Sequence, residues 1–348
     1  MTNGALNGLL FCGNILIPSL FPFMVLSSFL IYSGLTYYIS KPFKKFTEKI
    51  YNLPSITFTS ILLSMVGGFP VGAKSIRILL DEKKIDENIA RQMLCFSVGA
   101  GPAFVIIAVG ISMLNSLYYG VVLFISQILA QIIIAIASGI IYKKTNIYVI
   151  NFKKQSQFIK QTFSTSLVKS CSDSVNSILN LCGMVILFSA LIGIINNLNI
   201  FNLLNDFLMS INIPSYISKN ILTLILEVTS FCKNAIADNA SIVFISFGIG
   251  FGGLCVHFQV FQSLGDLKFS KKVFFLCRIL QGVICSFFTY IILTIYNPTP
   301  IIDVFSNIKT IPTYTISGTF LGSIALIFTS ICFTFVVKNN NDNKSLYT

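Results

Sequence analysis

A few ionisable side chains interrupt long apolar runs in this sequence, and they are the groups that could do chemistry. Glu227 directly follows Leu222-Thr223-Leu224-Ile225-Leu226. Inside a membrane, an ionised carboxylate costs a few kcal/mol unless it is paired or protonated. Glu227 therefore predicts a solute or ion site. The alternatives are a structural ion pair with Lys74 or Lys233, or a position at the membrane interface.

Lys74, Lys233 and His257 raise further possibilities. Each lysine lies within a few residues of a predicted helix break, and the two would favour an anionic solute if they converged. The alternative is that each ammonium extends along its own alkyl chain to the membrane surface. His257, the single histidine, could couple transport to protons near neutral pH. Its alternative role is that of a core histidine hydrogen-bonded to backbone.

Four elements with interrupted backbone would have to position these groups. Residues 55–66 are too short to cross a bilayer, and the tip at 67–72 (GGFPVG) breaks the helix, which predicts a re-entrant hairpin. A broken helix is expected at 99–102, because Pro102 removes a backbone donor. The second half repeats this order, with a tip at 227–234 and a break at 250–253.

Half-helix N-termini and unwound backbone are the places where polar groups can face a cavity inside a bilayer. We therefore predict a substrate-binding site at the two tips and the two breaks, with close helix packing as the alternative role for the glycines. The predicted site residues are Gly68, Pro70, Gly72, Lys74, Gly99, Gly101, Pro102, Glu227, Thr229, Lys233, Asn234, Gly250, Gly252, Gly253, His257 and Gln259.

An internal repeat relates the two halves of the chain. The glycine motif at 250–253 follows 99–102 at one constant offset, and Ile279-Leu280 follow Ile128-Leu129 at the same offset. The two tips are related by a longer offset, and the difference equals the length of the polar stretch 81–91. Agreement over several elements indicates a repeat rather than chance matches of Gly and Phe.

The composition places the chain in a membrane. Hydrophobic residues make up 54% of the 348 residues, charged residues only 10%, and the mean hydropathy is +0.82, which a soluble domain of this size cannot bury. Stretches such as 117–142 and 313–337 exceed the roughly 20 residues that a helix needs to cross a bilayer. They predict helices rather than the short alternating strands of a β-barrel. Residues 1–14 lack the basic start of a signal peptide, so we expect them to belong to the membrane domain.

The net charge of +12 indicates orientation rather than nucleic-acid binding, because the basic residues lie in short loops between apolar segments. The loop 143–169 carries several lysines and no acidic residue, which predicts a cytoplasmic position. If both hairpins return to their own side, then 41–49, 268–272 and Lys338 also lie inside. The two halves then have opposite orientation, as in secondary transporters built from inverted repeats.

The residue patterns of common enzymes are missing from the sequence. The nine cysteines are scattered without CxxC spacing, which is typical of buried free thiols. The sequence has no P-loop, no Ser-His-Asp pattern and no metal-binding cluster. We therefore predict no enzymatic activity, no cofactor and no metal. The expected partners are the lipid bilayer, a small-molecule solute and a coupling ion, H⁺ or Na⁺, without nucleic acid; the sequence specifies no oligomeric state.

These features predict an all-α polytopic membrane protein with two inverted repeats, each containing a re-entrant hairpin and a broken helix. The first repeat is expected at 1–142 and the second at 170–297. The basic cytoplasmic loop 143–169 would separate them. Residues 298–348 would form a C-terminal transmembrane helix and a tail.

Five short motifs occur in order along the chain: IPSLFPF at 17–23, GGFPVGAK at 67–74, GPAF at 101–104, LEVT at 226–229 and GFGGLCVHFQ at 250–259. In order and spacing they resemble the YlbJ (SpoVV) sporulation integral membrane proteins, which belong with the Gate-domain proteins of nucleoside recognition. The resemblance implies a role in spore cortex formation and in moving dipicolinic acid towards the forespore. It also implies a layout similar to concentrative nucleoside transporters, and a location in the bacterial cell membrane or the outer forespore membrane.

We therefore expect a transporter for a small anionic solute, with dipicolinate first and a nucleoside-like solute second. In this hypothesis Lys74 and Lys233 supply positive charge, Glu227 binds an ion or a proton, and the Gly-rich breaks supply backbone groups. A sporulation scaffold that transports nothing is the competing class. It predicts that apolar residues can replace the intramembrane Glu and Lys without loss of function. A membrane enzyme is the weakest alternative, since the sequence has no arrangement of nucleophile, base and metal.

Overall fold

The computed structural model describes residues 2–144, 162–198 and 200–296. The predicted span 313–337, the segment 298–348 and most of the loop 143–169 lie outside the described residues. Within the described ranges all regular structure is helical, which confirms the all-α class. The α-helices are α1 (Thr2–Phe11), α2 (Ile17–Tyr32), α3 (Leu35–Ser40), α4 (Lys44–Phe46), α5 (Thr57–Gly67), α6 (Phe69–Asp81), α7 (Glu87–Leu94), α8 (Leu117–Lys144), α9 (Phe163–Asn197), α10 (Ile200–Ser210), α11 (Ser215–Leu226), α12 (Val228–Ala237), α13 (Ile242–Phe251), α14 (Gly253–Leu264) and α15 (Lys271–Ile295). Wider π-helical turns occur at Cys12–Leu16, Thr47–Tyr51 and Ala103–Met113, and a 3-10 turn at Lys41–Phe43.

Membrane-spanning capacity follows from the length and composition of these helices. In the described part of the chain, 4 stretches are long and apolar enough to cross a bilayer. These are Leu117–Tyr142, Phe163–Asn197, Ile242–Leu264 and Lys271–Ile295. A further apolar pair, Leu20–Tyr32 and Leu35–Tyr51, is bent by 90°. The bend lies at Gly34, which has a φ of 76°, so this apolar pair is not one straight span.

The two faces of α9 show which side of the helices meets the protein interior. Ser166, Ser170 and Ser174 lie on the buried face, whereas Leu179 and Leu187 are 60% and 57% exposed. Small polar residues allow helices to approach closely inside a membrane, while apolar side chains are at no disadvantage against lipid. The helix is therefore suited to a bilayer as its solvent.

The predicted basic loop is shorter than the sequence suggested. Thr162 accepts a hydrogen bond from the Thr165 backbone N–H at 3.4 Å and starts α9 at Phe163. Residues 163–169, predicted as loop, are therefore helical. Lys169 is thereby held on a helix, with its Nζ 3.3 Å from Glu82 Oε1.

The first hairpin consists of α5 and α6. With 11 residues, α5 reaches about half of a bilayer crossing. The chain turns at Gly68, whose φ of 85° and ψ of −174° suit glycine. Pro70 lies in the first turn of α6, where its missing N–H leaves no helical bond unmade. The two helices pack against each other, so the chain turns back at this tip.

The second hairpin has a different tip. α11 and α12 have 12 and 10 residues, pack against each other and meet at Glu227. Glu227 has extended backbone, with φ −155° and ψ 122°. Its carboxylate accepts hydrogen bonds from the first N–H groups of α12, which would otherwise lack partners. A carboxylate cap here takes the place that a glycine turn has in the first hairpin.

The two breaks lie in the regions that the sequence indicated. α7 ends at Leu94, residues 95–101 are not helical, and the next helical segment starts after Pro102. In the second half α13 and α14 are separated at Gly252, which has a φ of 86°.

Tips and breaks contact one another near the centre of the molecule. A β-carbon added at Gly101 in the first break would lie 2.9 Å from the backbone N of Gly68 in the first tip. One added at Gly253 in the second break would lie 3.2 Å from the backbone N of Glu227. The ring of Phe69, beside the first tip, lies 3.4 Å from the β-carbon position of Gly252. All four interrupted elements therefore meet.

Gly72 allows a test of this close packing. A β-carbon at Gly72 would lie 1.8 Å from the carbonyl oxygen of Ser97, so α6 and the first break would have to move apart. We expect Gly72→Ala to lower the free energy of unfolding by about 1–3 kcal/mol, seen as a lower Tm in detergent. Gly183 has nothing within 4 Å of its β-carbon position, so Gly183→Ala should leave Tm unchanged or raise it. Equal Tm values for Gly72→Ala and the wild type would contradict the contact.

Candidate functional site

A cavity of about 60 Å³ lies where the two tips and the two breaks meet. One water needs roughly 10–15 Å³ of such volume, so the cavity has room for a few waters or a small ion. An organic solute could enter only if the walls moved apart. The predicted site residues that line the cavity are Gly68, Pro70, Gly101, Glu227, Thr229 and Gln259.

Among the described residues that line this cavity, Glu227 is the only Asp, Glu, Lys, Arg or His. It is 4% exposed, and its carboxylate oxygens accept hydrogen bonds from the backbone N–H groups of Thr229 at 2.7 Å and Ser230 at 2.6 Å. Within the described ranges no Lys, Arg or His nitrogen lies within 4.0 Å of this carboxylate. The N-terminus of α12 therefore stabilises the negative charge in place of a counter-ion.

The apolar walls surround this one carboxylate. Phe11, Phe69 and Phe104 contribute rings, and Leu181 and Val185 of α9 close one side. A mostly apolar cavity with a few polar groups is the usual character of a small-molecule site.

A second, polar cavity of about 170 Å³ adjoins the first and shares Pro70, Leu181 and Gln259 with it. Ser177, Asn180, Gln262 and Ser263 complete its lining. α14 carries the glutamines and Ser263 towards Gly265 and the basic loop at 268–272. Both cavities are therefore bordered by α9 and α14.

The two predicted lysines do not converge on the cavity. Lys74 is 7% exposed, and its Nζ donates to Ser174 Oγ of α9 at 3.1 Å. Lys233 is exposed on α12 and lines neither of the two cavities. Asn234 lines a separate surface pocket that also includes Asp238. Lys233 and Asn234 lie six and seven residues past Glu227, which places them about 9–10 Å from the tip along the axis of α12.

His257 lies in the aromatic interior rather than in the cavity. Its Nε2 is 2.8 Å from the carbonyl oxygen of Phe251, and its ring makes edge contacts with Phe251, Phe274 and Phe275. The side chain is 0% exposed. This is the environment of the core histidine that the sequence left as an alternative.

The remaining predicted site residues, the other glycines and Pro102, affect helix packing and backbone conformation rather than lining the cavity. At Gly99 an added β-carbon would lie 2.0 Å from the side-chain amide of Gln131. At Gly250 it would lie 2.8 Å from the Cα of Gly282. Both glycines therefore allow close packing. Gly252 and Gly253 have positive φ and shape the second break.

Arg278 and three glutamines are polar groups that the sequence reasoning did not single out. Arg278 is 1% exposed in α15, and both of its terminal nitrogens donate to backbone carbonyls of the first break. Gln127 and Gln131 of α8 lie over Gly99 in the same region, and Gln281 is buried on α15 one turn past Arg278. The available signal was an arginine inside the apolar stretch 273–297, because intramembrane ionisable residues are rare and usually functional.

Comparison with known proteins gives two matches. Residues 15–117 match the Gate family model, described as nucleoside recognition. The chain is 24% identical, over 82% of its own length and 76% of the relative's, to the sporulation integral membrane protein YlbJ of Bacillus subtilis (strain 168). No solved structure matches the chain. The matches confirm the resemblance to the Gate-domain sporulation membrane proteins and, with the apolar spans of the described residues, identify an integral membrane protein.

The capping role of Glu227 predicts a loss of stability. Glu227→Ala would leave the Thr229 and Ser230 N–H groups unpaired in a dry interior, so we expect a cost of about 1–3 kcal/mol and a lower Tm in detergent. Glu227→Gln keeps one carbonyl acceptor and should lose less. Glu87 forms an exposed ion pair with Arg91, and Glu87→Ala should cost at most about 1 kcal/mol. An equal loss for the two alanine variants would rule out the buried cap.

Proposed function

We propose that this integral membrane protein, similar to the Gate-domain sporulation proteins, is a secondary transporter for a small anionic solute. Dipicolinate, moved across a membrane of the sporulating cell, is the first candidate. The observation that carries the proposal is the central cavity, which is lined by both hairpin tips, by the first break and by the first turn of α14 after the second break. Interrupted helices that meet in the interior are a recurring design of solute sites in transporters.

We further propose that the two halves are inverted repeats, in a layout similar to concentrative nucleoside transporters. Each half contains a hairpin of two short helices followed by a broken helix. α9 and the combined span Ile242–Leu264 each have crossing length, so the hairpin between them enters from the side opposite to the basic loops. The first hairpin lies directly after the basic segment 41–49 and enters from the basic side.

The charge in the cavity indicates coupling to an ion. Two negative charges a few ångströms apart in a medium of low dielectric repel strongly. An anion therefore enters the cavity beside Glu227 only when the carboxylate is protonated or paired with Na⁺. This requirement would link each solute movement to one H⁺ or Na⁺, which is the role expected of an intramembrane acid.

In this proposal the structure represents a closed state, because a cavity of about 60 Å³ is too small for an organic solute. The polar cavity that adjoins it supplies the way to one side of the membrane, between α9 and α14. Separation of the hairpin tips would admit the solute, and their closure would prevent leakage, as alternating access requires.

A nucleoside-like solute is the second candidate, and the lining of the cavity favours it over other neutral solutes. The rings of Phe69 and Phe104 offer stacking surfaces for a base. Thr229, Gln259 and Glu227 offer hydrogen bonds to a sugar or a base edge. The matching family model is itself described as nucleoside recognition. A sporulation scaffold that transports nothing remains the alternative from another class.

Complementation and uptake together test the function. In a B. subtilis strain that lacks its relative, we expect this chain to restore spore dipicolinate and Glu227→Gln at matched expression to fail, because the acid can no longer bind a coupling ion. Lys233→Met should restore it fully, since Lys233 is exposed away from the cavity. Purified protein in vesicles should take up dipicolinate saturably. Saturable uptake of uridine instead would favour the nucleoside-like solute, and no uptake of either would favour the scaffold.

Labelling of introduced cysteines tests the orientation. Ser210 precedes the second hairpin, Lys268 lies in the loop after α14, and both are exposed. We expect a membrane-impermeant maleimide to label Ser210→Cys in intact cells, and Lys268→Cys only after permeabilisation. The wild-type chain is the control, because its described free cysteines are buried or partly buried. Labelling of both positions from the same side would contradict the inverted arrangement.

A further inference from the structure

A buried polar cluster lies on the far side of the first break, where α8 and α15 pack against each other. α15 contributes Arg278, Gln281 and Cys285, and α8 contributes Gln127 and Gln131. Each of these side chains is at most 1% exposed. The residues recur at intervals of three or four along each helix, so each set lies on one face.

Arg278 forms hydrogen bonds with the backbone of the first break. Its Nη1 and Nη2 atoms donate to the carbonyl oxygens of Val98 and Cys95, and its guanidinium lies 5.5 Å from the ring centroid of Phe274. Within the described ranges no carboxylate oxygen lies within 4.0 Å of Arg278. A permanent positive charge is thus buried with neutral partners only.

Two of the glutamines, Gln127 and Gln131, lie against the same backbone segment at Gly99. A β-carbon at Gly99 would lie 2.0 Å from Gln131 Nε2 and 2.7 Å from Gln127 Nε2, so both amide nitrogens lie over one glycine. Gln127 Oε1 accepts a hydrogen bond from Cys285 Sγ at 3.1 Å, which joins the two helices.

Many polar atoms of this cluster have no hydrogen-bond partner among the described residues. They are Arg278 Nε, Gln127 Nε2, Ser97 Oγ and both amide atoms of Gln131 and of Gln281. Leaving such groups unpaired in a dry interior costs about 1–3 kcal/mol each. Donor hydrogens outnumber acceptors here, and the cluster carries one positive charge. The ligand that complements it is an anion with several acceptor atoms.

We infer that Arg278, Gln127, Gln131 and Gln281 recognise a carboxylate group of the transported solute. The inference rests on the proposed transport of an anion and supplies the cation that the central cavity lacks. Residues 95–101 form the wall between the two places, because Val98 faces Arg278 and Gly101 lines the cavity. Movement of this glycine-containing segment joins the cluster to the cavity and exposes its donors to the solute.

Gln281→Leu in the purified full-length protein is the decisive variant. Its amide atoms have no partners to lose, so a purely structural role predicts equal or higher Tm and unchanged binding. Carboxylate recognition predicts the same Tm but dipicolinate binding weaker by about tenfold or more. Arg278→Lys keeps the charge but loses the planar fork and should weaken binding as well. Ser60→Ala is the matched control, because it also removes a buried unpartnered polar atom, on α5.

The possible results separate this inference from the proposed function. Weaker dipicolinate binding in Gln281→Leu, with unchanged Tm and an unaffected Ser60→Ala, supports the carboxylate cluster. If the wild type binds dipicolinate and Gln281→Leu binds it equally well, the inference is overturned while anion transport stands. If the wild type binds no dipicolinate and transports uridine, the anionic solute is overturned and the cluster with it.

Discussion

The structure depends on one constraint: backbone groups inside a bilayer must find their partners within the protein. A helix that stops in the interior of a membrane protein leaves N–H and C=O groups unpaired, and four helices of this chain stop where the tips and breaks meet. The solutions differ from place to place. At Glu227 a carboxylate receives the N–H groups of α12. At the first break Arg278 donates to the carbonyl oxygens of Cys95 and Val98, in the non-helical segment after α7. Each interruption is therefore held by a charged side chain or by close glycine contacts.

The same two charges also organise the interior electrostatically. The acid lies in the central cavity at the second tip, whereas the cation lies behind the first break, and segment 95–101 separates them. Neither forms an ion pair within the described ranges. Charges held by backbone dipoles rather than by each other remain available to a ligand or a proton. A small shift of this segment would change which of the two charges faces the central cavity.

Much of the site was predictable because helix breakers act locally. Gly68, Gly252 and Gly253 have positive φ, and Pro102 precedes a new helical segment, so the sequence reading of both breaks and the first tip rested on backbone chemistry alone. The lysines were different. Whether Lys74 and Lys233 converge depends on the rotation of α6 and α12 about their axes. The local sequence does not determine this rotation. Packing turned one towards Ser174 and the other outwards.

The sequence by itself determined that the chain lies in a lipid bilayer, that it is all-helical and where its helices are interrupted. These features follow from hydropathy and from the steric limits of Gly and Pro, which are properties of short segments. Only the tertiary structure decided which polar groups meet. Arg278 is distant in sequence from Val98, yet its position on α15 brings it to that carbonyl. His257 is closed in by Phe274 and Phe275 from the next helix. Such encounters depend on how rigid helices pack across the whole molecule, and no local pattern encodes them.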